Sequence, residues 1–130
     1  SRLMTRSRNA LLLDVVPLSL GIELMGGVVE QVIARNSAIP VEARRIYTNH
    51  KDNQIGFKLR VVQGEGQYVS QCKVLADVEL SQIPPMKAGV AKLEVVFRMD
   101  ADGLLVVSAT ELTSNKRISV DLKPSYRMDV

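Results

Sequence analysis

Few residues in this 130-residue sequence combine the type and the spacing that catalysis requires. His50 is the only histidine and Cys72 the only cysteine, and a Cys–His nucleophile pair would need both. They lie 22 positions apart with no companion pattern, which favours incidental placement. A single cysteine also excludes an internal disulfide and a cysteine-rich zinc site. This composition fits a reducing compartment, so we expect a cytoplasmic location.

Two other groupings suggest chemistry only weakly. Asp100 and Asp102 could form a carboxylate pair, but a calcium loop would need further acids after Gly103, and apolar residues follow instead. Gly64 and Gly66 form a lone G-x-G with no later glycine and no lysine for a phosphate. We therefore predict no metal site, no cofactor in this fragment and no enzymatic activity.

The charge is concentrated at the start of the chain. The formal net charge is +3, and Arg2, Arg6 and Arg8 stand in a first segment without acids. The remainder has 14 basic and 14 acidic side chains and only five Phe plus Tyr. A neutral domain with few aromatic rings is a poor match for nucleic acid. No stretch approaches the roughly 20 apolar residues of a membrane span, so we predict neither nucleic-acid nor membrane binding.

Alternation of apolar and polar residues indicates that strands must position whatever site exists. Side chains of a strand point to opposite faces in turn, so alternation gives one dry and one wetter face. Such alternation is clearest in residues 57–62, 92–99 and 117–123. Further strand candidates rich in Val, Ile and Leu are residues 28–34, 45–48, 74–80 and 104–110. With 46% hydrophobic residues the chain can bury a core.

Turn residues separate these runs. Residues 100–103 and 113–115 suit hairpins, as do residues 51–54 and 63–66. Pro84 and Pro85 cannot lie inside a sheet, because proline donates no ladder hydrogen bond. No window has a sustained helical period. We predict an all-β fold, a two-layer antiparallel β-sandwich of about eight short strands.

The segment 11–27, LLLDVVPLSLGIELMGG, is unusually apolar for the edge of a domain. One interpretation is an ordinary first strand, a loop and a second strand, with Gly21 as the break. The other is an apolar loop between Gly21 and Gly26 that presents backbone groups and Met25 to a ligand. Glycine permits close backbone approach, and methionine adapts to varied partners. The residues alone leave both interpretations open.

Several strings resemble the chaperones of the seventy-kilodalton heat-shock (DnaK-type) family. Residues 11–15, LLLDV, are similar to the interdomain linker of that family, and residues 17–27 to the opening of its substrate-binding domain. The similarity continues through IARN at 33–36, IP at 39–40, QGE at 63–65 and DADGL at 100–104. It covers roughly residues 11–126 in unbroken order.

The resemblance implies a β-sandwich that holds an extended hydrophobic peptide of a client protein. The residues implied to line the central pocket are Ile22, Tyr47, Phe57, Leu59 and Leu93. Leu24, Met25 and Gly26 would form one loop of the channel, Met25 and His50 an arch over the peptide, and Gln54 a supporting loop. Residues implied to couple to an ATPase domain are Leu11, Leu12, Leu13 and Asp14, with Arg35 and Asp102 as weaker candidates.

Some positions depart from the general chaperones. His50 stands where many relatives have a small residue, and Ala88 stands where many have an arginine that latches the lid. Phe57 replaces a smaller aliphatic pocket residue. Ala88-Gly89 and the ending KPSY at 123–126 resemble the HscA branch, which serves iron–sulfur cluster assembly. That branch implies a cluster scaffold protein as the client; the alternative is a general folding chaperone. A J-domain co-chaperone and ATP would act on the full-length protein.

The expected organisation is a flexible leader at 1–10, the linker at 11–14, the sandwich at 15–124 and a stub at 125–130 leading to a helical lid. Two other classes of function stay open. One is an interaction module that uses the apolar linker as its contact. The other is a small-ligand binding domain that uses the loops at one end.

Overall fold

The computed structural model describes residues 15–124, and these form two four-stranded antiparallel sheets. The predicted leader, the linker residues Leu11, Leu12, Leu13 and Asp14, and the stub at 125–130 lie outside the described residues. The strands are β1 Leu20–Glu23, β2 Val29–Ile33, β3 Val41–Thr48, β4 Gly56–Gln63, β5 Lys73–Ser81, β6 Lys92–Met99, β7 Leu105–Glu111 and β8 Lys116–Leu122. Short 3-10 turns occupy Met25–Gly27 and Val69–Gln71. The predicted all-β sandwich is confirmed.

Strand order shows how the two layers are connected. The first sheet has the order β2-β1-β4-β5 and the second β3-β6-β7-β8. The β2–β3, β3–β4 and β5–β6 connections therefore cross from one sheet to the other. The prediction of a hairpin at residues 51–54 was wrong, because turn-forming residues do not reveal which sheet the next strand joins. The proline-containing segment 83–86 lies in the β5–β6 crossing.

The core lies between the inner faces of the two sheets. On β6, Leu93, Val95, Phe97 and Met99 are buried, as the alternation predicted. On β4 the inward residues are Phe57, Leu59 and Val61. Burial of each such side chain contributes about 1.5–3 kcal/mol, so these two central strands hold the layers together.

Gly21 does not end a strand but lies inside β1, opposite Gln31 of β2. A Cβ atom at this position would lie 2.4 Å from the carbonyl oxygen of Glu30, closer than two such atoms can approach. The register of β1 against β2 also shifts between Leu20 and Gly21. Glycine is present here because β2 comes too near for any side chain, and the expected break at this residue was wrong.

The outer part of β3 was also missed, since only its second half was predicted. In this outer part the outward side chains are charged and pair with β6: Glu42 with Arg98 at 3.0 Å and Arg44 with Glu94 at 2.9 Å. An edge strand with charged outward residues has a weak apolar pattern. Within residues 15–124 no helix has the length and apolar character needed to cross a bilayer.

The last hairpin contains a fully buried carboxylate, Glu111, at the end of β7. Its two oxygens accept hydrogen bonds from the amides of Thr113 (3.1 Å) and Ser114 (2.8 Å). Burial on its own raises the pKa of the Glu111 carboxyl, but these amide hydrogen bonds outweigh it and hold the pKa below its ordinary value. The ionised carboxylate therefore fixes the β7–β8 turn.

We predict that Glu111→Gln lowers the free energy of unfolding by about 1–3 kcal/mol near neutral pH. The NH2 group of the glutamine side chain is a donor, so it cannot accept the hydrogen bond that the Thr113 or Ser114 amide donates to a carboxylate oxygen. The folded pKa lies below the unfolded one, so the contribution of Glu111 is present above about pH 4.3. It is lost as pH falls towards the folded pKa. Urea denaturation at about pH 7 and about pH 3 should show the gap between parent and variant narrowing in acid. An equal difference in the free energy of unfolding at both pH values would contradict an ionised Glu111 in the folded state. Glu42→Gln, at an exposed glutamate, is the control.

Candidate functional site

A groove of about 1120 Å³ opens at one end of the sandwich. It lies between the β1–β2 turn on one side and the end of β3 with the β3–β4 connection on the other. Eight of the ten residues predicted for the pocket, the loops and the arch line it: Ile22, Leu24, Met25, Tyr47, His50, Gln54, Phe57 and Leu59. The structure thus brings together residues spread over 38 positions of sequence.

The floor of the groove is the end of the hydrophobic core. Ile22, Phe57 and Leu59 are only 1%, 7% and 8% exposed, and all three belong to the core cluster. Phe57 and Leu59 point the same way as fully buried Val61, because they alternate along β4. An apolar side chain entering the groove would therefore pack directly on the core.

The β1–β2 turn forms the first rim and exposes apolar side chains together with backbone. Met25 is 73% and Leu24 36% exposed. The turn is closed by hydrogen bonds from the Leu24 amide to the Val28 carbonyl (2.7 Å) and from the Gly27 amide to the Leu24 carbonyl (3.1 Å). Gly26 has a φ of 84°, which favours glycine. Within the described chain, the Met25 and Gly26 amides donate to no protein group.

The second rim is held by Asn49, which the sequence reasoning missed. Its buried amide nitrogen donates to the carbonyls of Lys51 (3.1 Å), Met86 (3.0 Å) and Lys87 (3.0 Å). Its oxygen accepts from the Ala91 amide at 3.1 Å. Asn49 thereby joins the β3–β4 connection to the β5–β6 connection. An asparagine beside the only histidine carries no pattern that would signal this role.

His50 follows Asn49 and is exposed at the groove. Its amide donates to Oε1 of Gln54 at 3.1 Å, and Nε2 of Gln54 donates to the Gly56 carbonyl at 2.8 Å. Gln54 thus ties the His50 loop to the start of β4. The structure brings His50 and Met25 to the same groove from opposite rims, as an arch would require, while the arch itself stays a prediction.

Two predicted residues do not line the groove. Leu93 is 0% exposed and sits on β6 opposite Tyr47 of β3. It is a core residue, and period-two alternation gives the same pattern for core and groove. Gly26 belongs to the rim turn next to Met25 but faces open space.

The candidates for coupling to another domain lie at the opposite end of the sandwich. Val41 at the start of β3 is paired with Met99, whereas Thr48 at the groove end is paired with Lys92. Arg35 precedes β3, and Asp102 lies in the hairpin after Met99. The Arg35 amide donates to Oγ of Ser19 (2.9 Å) and the Asp102 amide to Oδ1 of Asp100 (2.9 Å). Their coupling role stays a prediction.

Charges near the groove are mostly paired. Arg60 lies 3.5 Å from Glu23 and 2.8 Å from Asp77, and Lys58 is opposite Glu79 on the paired strands. On the β3 side, the Tyr47 hydroxyl donates to Glu30. Burial, and then this hydrogen bond and the charge of Glu30, raise the pKa of Tyr47 above its usual range. Tyr47 therefore stays protonated and able to donate.

The alternative chemistries find no support in the geometry. His50 and Cys72 lie at opposite ends of β4, about 20 Å apart at roughly 3.3 Å per residue. The Asp100 carboxylate accepts hydrogen bonds from the amides of Asp102 and Leu104, so it stabilises the hairpin between β6 and β7. Among residues 15–124 no three His, Cys, Asp or Glu side chains are grouped to hold a metal ion.

The G-x-G loop does not fit a nucleotide either. The Gly64 amide donates to the Ser19 carbonyl at 2.9 Å. The amides of Gln67 and Tyr68 both donate to Oε1 of Gln71. The amides of Gly64, Gln67 and Tyr68 thus donate within the protein.

The sequence that forms this two-sheet sandwich matches a known protein family. Residues 3–129 match the family model described as Hsp70 protein, and the chain belongs to the Hsp70 family. It is 53% identical over 121 residues to the "Chaperone protein HscA homolog" of Pseudomonas paraeruginosa, covering 93% of this chain and 20% of that protein. The protein of the same name from Polynucleobacter asymbioticus is 54% identical over 116 residues (89% and 19%).

A third relative, the "Chaperone protein HscA homolog" of Rickettsia prowazekii, is 48% identical over 124 residues, covering 95% of this chain and 21% of that protein. The chain thus spans about a fifth of the length of the curated relatives it matches. The similarity to the HscA branch that the sequence indicated is confirmed.

We predict that Asn49→Ala lowers the free energy of unfolding by about 1–3 kcal/mol, because the buried Asn49 side chain loses its hydrogen bonds to the carbonyls of the two loops and from the Ala91 amide. Hydrogen exchange of the Ala91 amide should also accelerate, since its acceptor is removed. Urea denaturation and amide exchange measure the two effects. The control is Lys51→Ala, because that exposed side chain is not part of the Asn49 network. A loss below about 0.5 kcal/mol would contradict this role for Asn49.

Proposed function

We propose that this chain is the substrate-binding domain of a chaperone and holds an extended hydrophobic segment of a client protein in the groove. The observation that carries the proposal is an apolar floor continuous with the core, beneath a turn whose Met25 and Gly26 amides are unpaired. An extended peptide offers a carbonyl at every residue whatever its sequence. Membership of the Hsp70 family supports this function.

The interactions available suit weak and reversible binding. Each hydrogen bond to the peptide backbone is worth about 0.5–1.5 kcal/mol. Burial of one Leu-sized anchor on Ile22, Phe57 and Leu59 adds about 1.5–3 kcal/mol. Ordering the peptide costs several kcal/mol. The remainder corresponds to roughly micromolar affinity, which allows repeated binding and release.

Each groove residue has a proposed part. Met25 and His50 close over the peptide backbone from opposite rims, and Gln54 supports the His50 loop. Phe57 makes the pocket shallow, and Tyr47 forms one wall. Leu93 contributes from the core by supporting the strand that carries Tyr47.

The proposed client is the scaffold protein of iron–sulfur cluster assembly, recognised at a short proline-containing hydrophobic motif. Similarity to proteins named HscA supports this choice over a general folding chaperone. Any cluster would belong to the client. We further propose that ATP and a J-domain co-chaperone act on other parts of a longer protein, since the chain spans about a fifth of the length of the relatives named HscA.

The function is tested by fluorescence anisotropy with three labelled peptides: a proline-containing scaffold-type motif, a Leu-rich segment and a charged control. We expect micromolar binding of the hydrophobic peptides with fast release and none of the control. Preference for the proline-containing motif supports the scaffold client, and equal binding supports the general chaperone. Binding of all three alike, or of none, would contradict the proposal.

We predict that Phe57→Val shifts peptide preference towards bulkier anchors, because a smaller floor residue deepens the pocket. The measurement compares dissociation constants of peptides that differ only in a central Leu or Phe. The Phe-anchored peptide should gain about 5–10-fold relative to the Leu-anchored one. Val78→Ala, which alters β5 at the groove edge, controls for general loosening. Unchanged preferences in Phe57→Val would mean that Phe57 is not the pocket floor.

A further inference from the structure

Three side chains close the side of the sandwich beside the groove, and we call Glu30, Tyr47 and Arg45 the side clasp. The Tyr47 hydroxyl donates a hydrogen bond to Oε1 of Glu30. Nε of Arg45 lies 3.9 Å from the other Glu30 oxygen. Nη2 of Arg45 donates to the carbonyl of Gln31 at 3.3 Å. All of these contacts run between β2 and β3.

The position of the side clasp follows from the topology. Strand β2 is the edge of the first sheet and β3 the edge of the second. Within residues 15–124, β2 is paired with β1 and β3 with β6, and no strand ladder joins the two edges. Side chains must therefore hold this side together. Arg45 faces inwards on an edge strand, a placement that also prevents pairing with another strand.

Two members of the side clasp are also groove residues, since Glu30 and Tyr47 both line the groove. A tyrosine ring with its hydroxyl bound to a carboxylate on another strand cannot rotate away without breaking a charge-assisted hydrogen bond. The ring is thereby a wall of fixed position opposite the floor residues Phe57 and Leu59. The width available to an entering side chain is set by this wall.

We propose that the side clasp determines anchor specificity, with Glu30 acting as a positioning residue that holds the Tyr47 ring so that the groove admits aliphatic anchors and excludes aromatic ones. The inference rests on the proposed peptide-binding function and adds a selection rule to it. Release of the clasp would let the ring swing outwards. An aromatic anchor would then fit into the groove. A leucine anchor would pack less closely against the ring, so its peptide would dissociate faster.

A double-mutant cycle tests the proposal on the full chain. Tyr47→Phe removes only the hydroxyl, and Glu30→Ala removes its acceptor. The readout is the ratio of dissociation constants for peptides that differ only in a central Phe or Leu. Each single variant should lower the parent's preference for Leu about 5–10-fold, and the double variant should lower it no further, because both changes break one bond.

A conservative substitution separates the hydrogen bond from the charge. Glu30→Gln keeps an oxygen that can accept from Tyr47 while it removes the ion pair with Arg45, so it should retain most of the Leu preference. The matched control is Glu42→Ala on the outer face of β3, whose partner Arg98 lies 3.0 Å away and outside the groove. This variant should keep the parent ratio.

The outcomes separate this proposal from the function on which it rests. If the parent binds neither peptide, the proposed function fails. If the parent binds and the single variants keep its ratio, or if their effects add in the double variant, the side clasp proposal is overturned. Thermal unfolding of each variant shows whether the fold is kept. Tyr47→Phe, which deletes one oxygen atom, decides the matter even if Glu30→Ala is too unstable to measure.

Discussion

The alternation of side chains along β4 builds both the hydrophobic core and the groove. One face of this strand supplies Val61 to the closed core and Phe57 and Leu59 to the groove floor. Core and groove are consequently one apolar surface, covered by the second sheet along most of its length and open at one end. A change of register by one residue would replace the floor with Lys58 and Arg60 and destroy both.

The two rims of the groove are fixed by different physical means. The β1–β2 turn depends on backbone conformation, with Gly26 at positive φ and a short hydrogen-bonded loop. The opposite rim depends on the side chain of Asn49, whose four hydrogen bonds connect two loops that cross between the sheets. Rims held in this way need little rearrangement when a peptide enters, which limits the ordering cost largely to the peptide itself.

Sequence reasoning succeeded where the signal is local. Alternation located β4 and β6, and turn chemistry located the hairpin around Asp100 and Gly103. It failed where the cause lies elsewhere in the fold. Gly21 was read as a break because the carbonyl of Glu30 that demands glycine belongs to another strand. The 51–54 segment was read as a hairpin because its residues do not specify which sheet comes next.

Prediction of the candidate site succeeded and failed for the same reasons as prediction of the fold. The resemblance to the chaperone family led to eight groove residues. It also implied a place in the pocket for Leu93, which lies in the core, because a shared string of residues does not show which side chains the second sheet covers. Asn49 and Glu30 were missed since their partners lie 37 and 17 residues away along the chain and meet them only after the sheets pack. Polar residues that position a site through such contacts leave no pattern in the sequence.

We propose that extended polypeptide binds in the groove at the β1–β2 turn. Titration of the isotope-labelled chain with a peptide bearing one leucine anchor, followed by amide and methyl NMR, tests it most directly. We expect the largest chemical-shift changes at the amides of Met25 and Gly26 and the methyls of Ile22 and Leu59. Arg35 and Asp102, at the other end of the sandwich, should change little. Largest changes at that far end, or none in the groove, would contradict peptide binding in this groove.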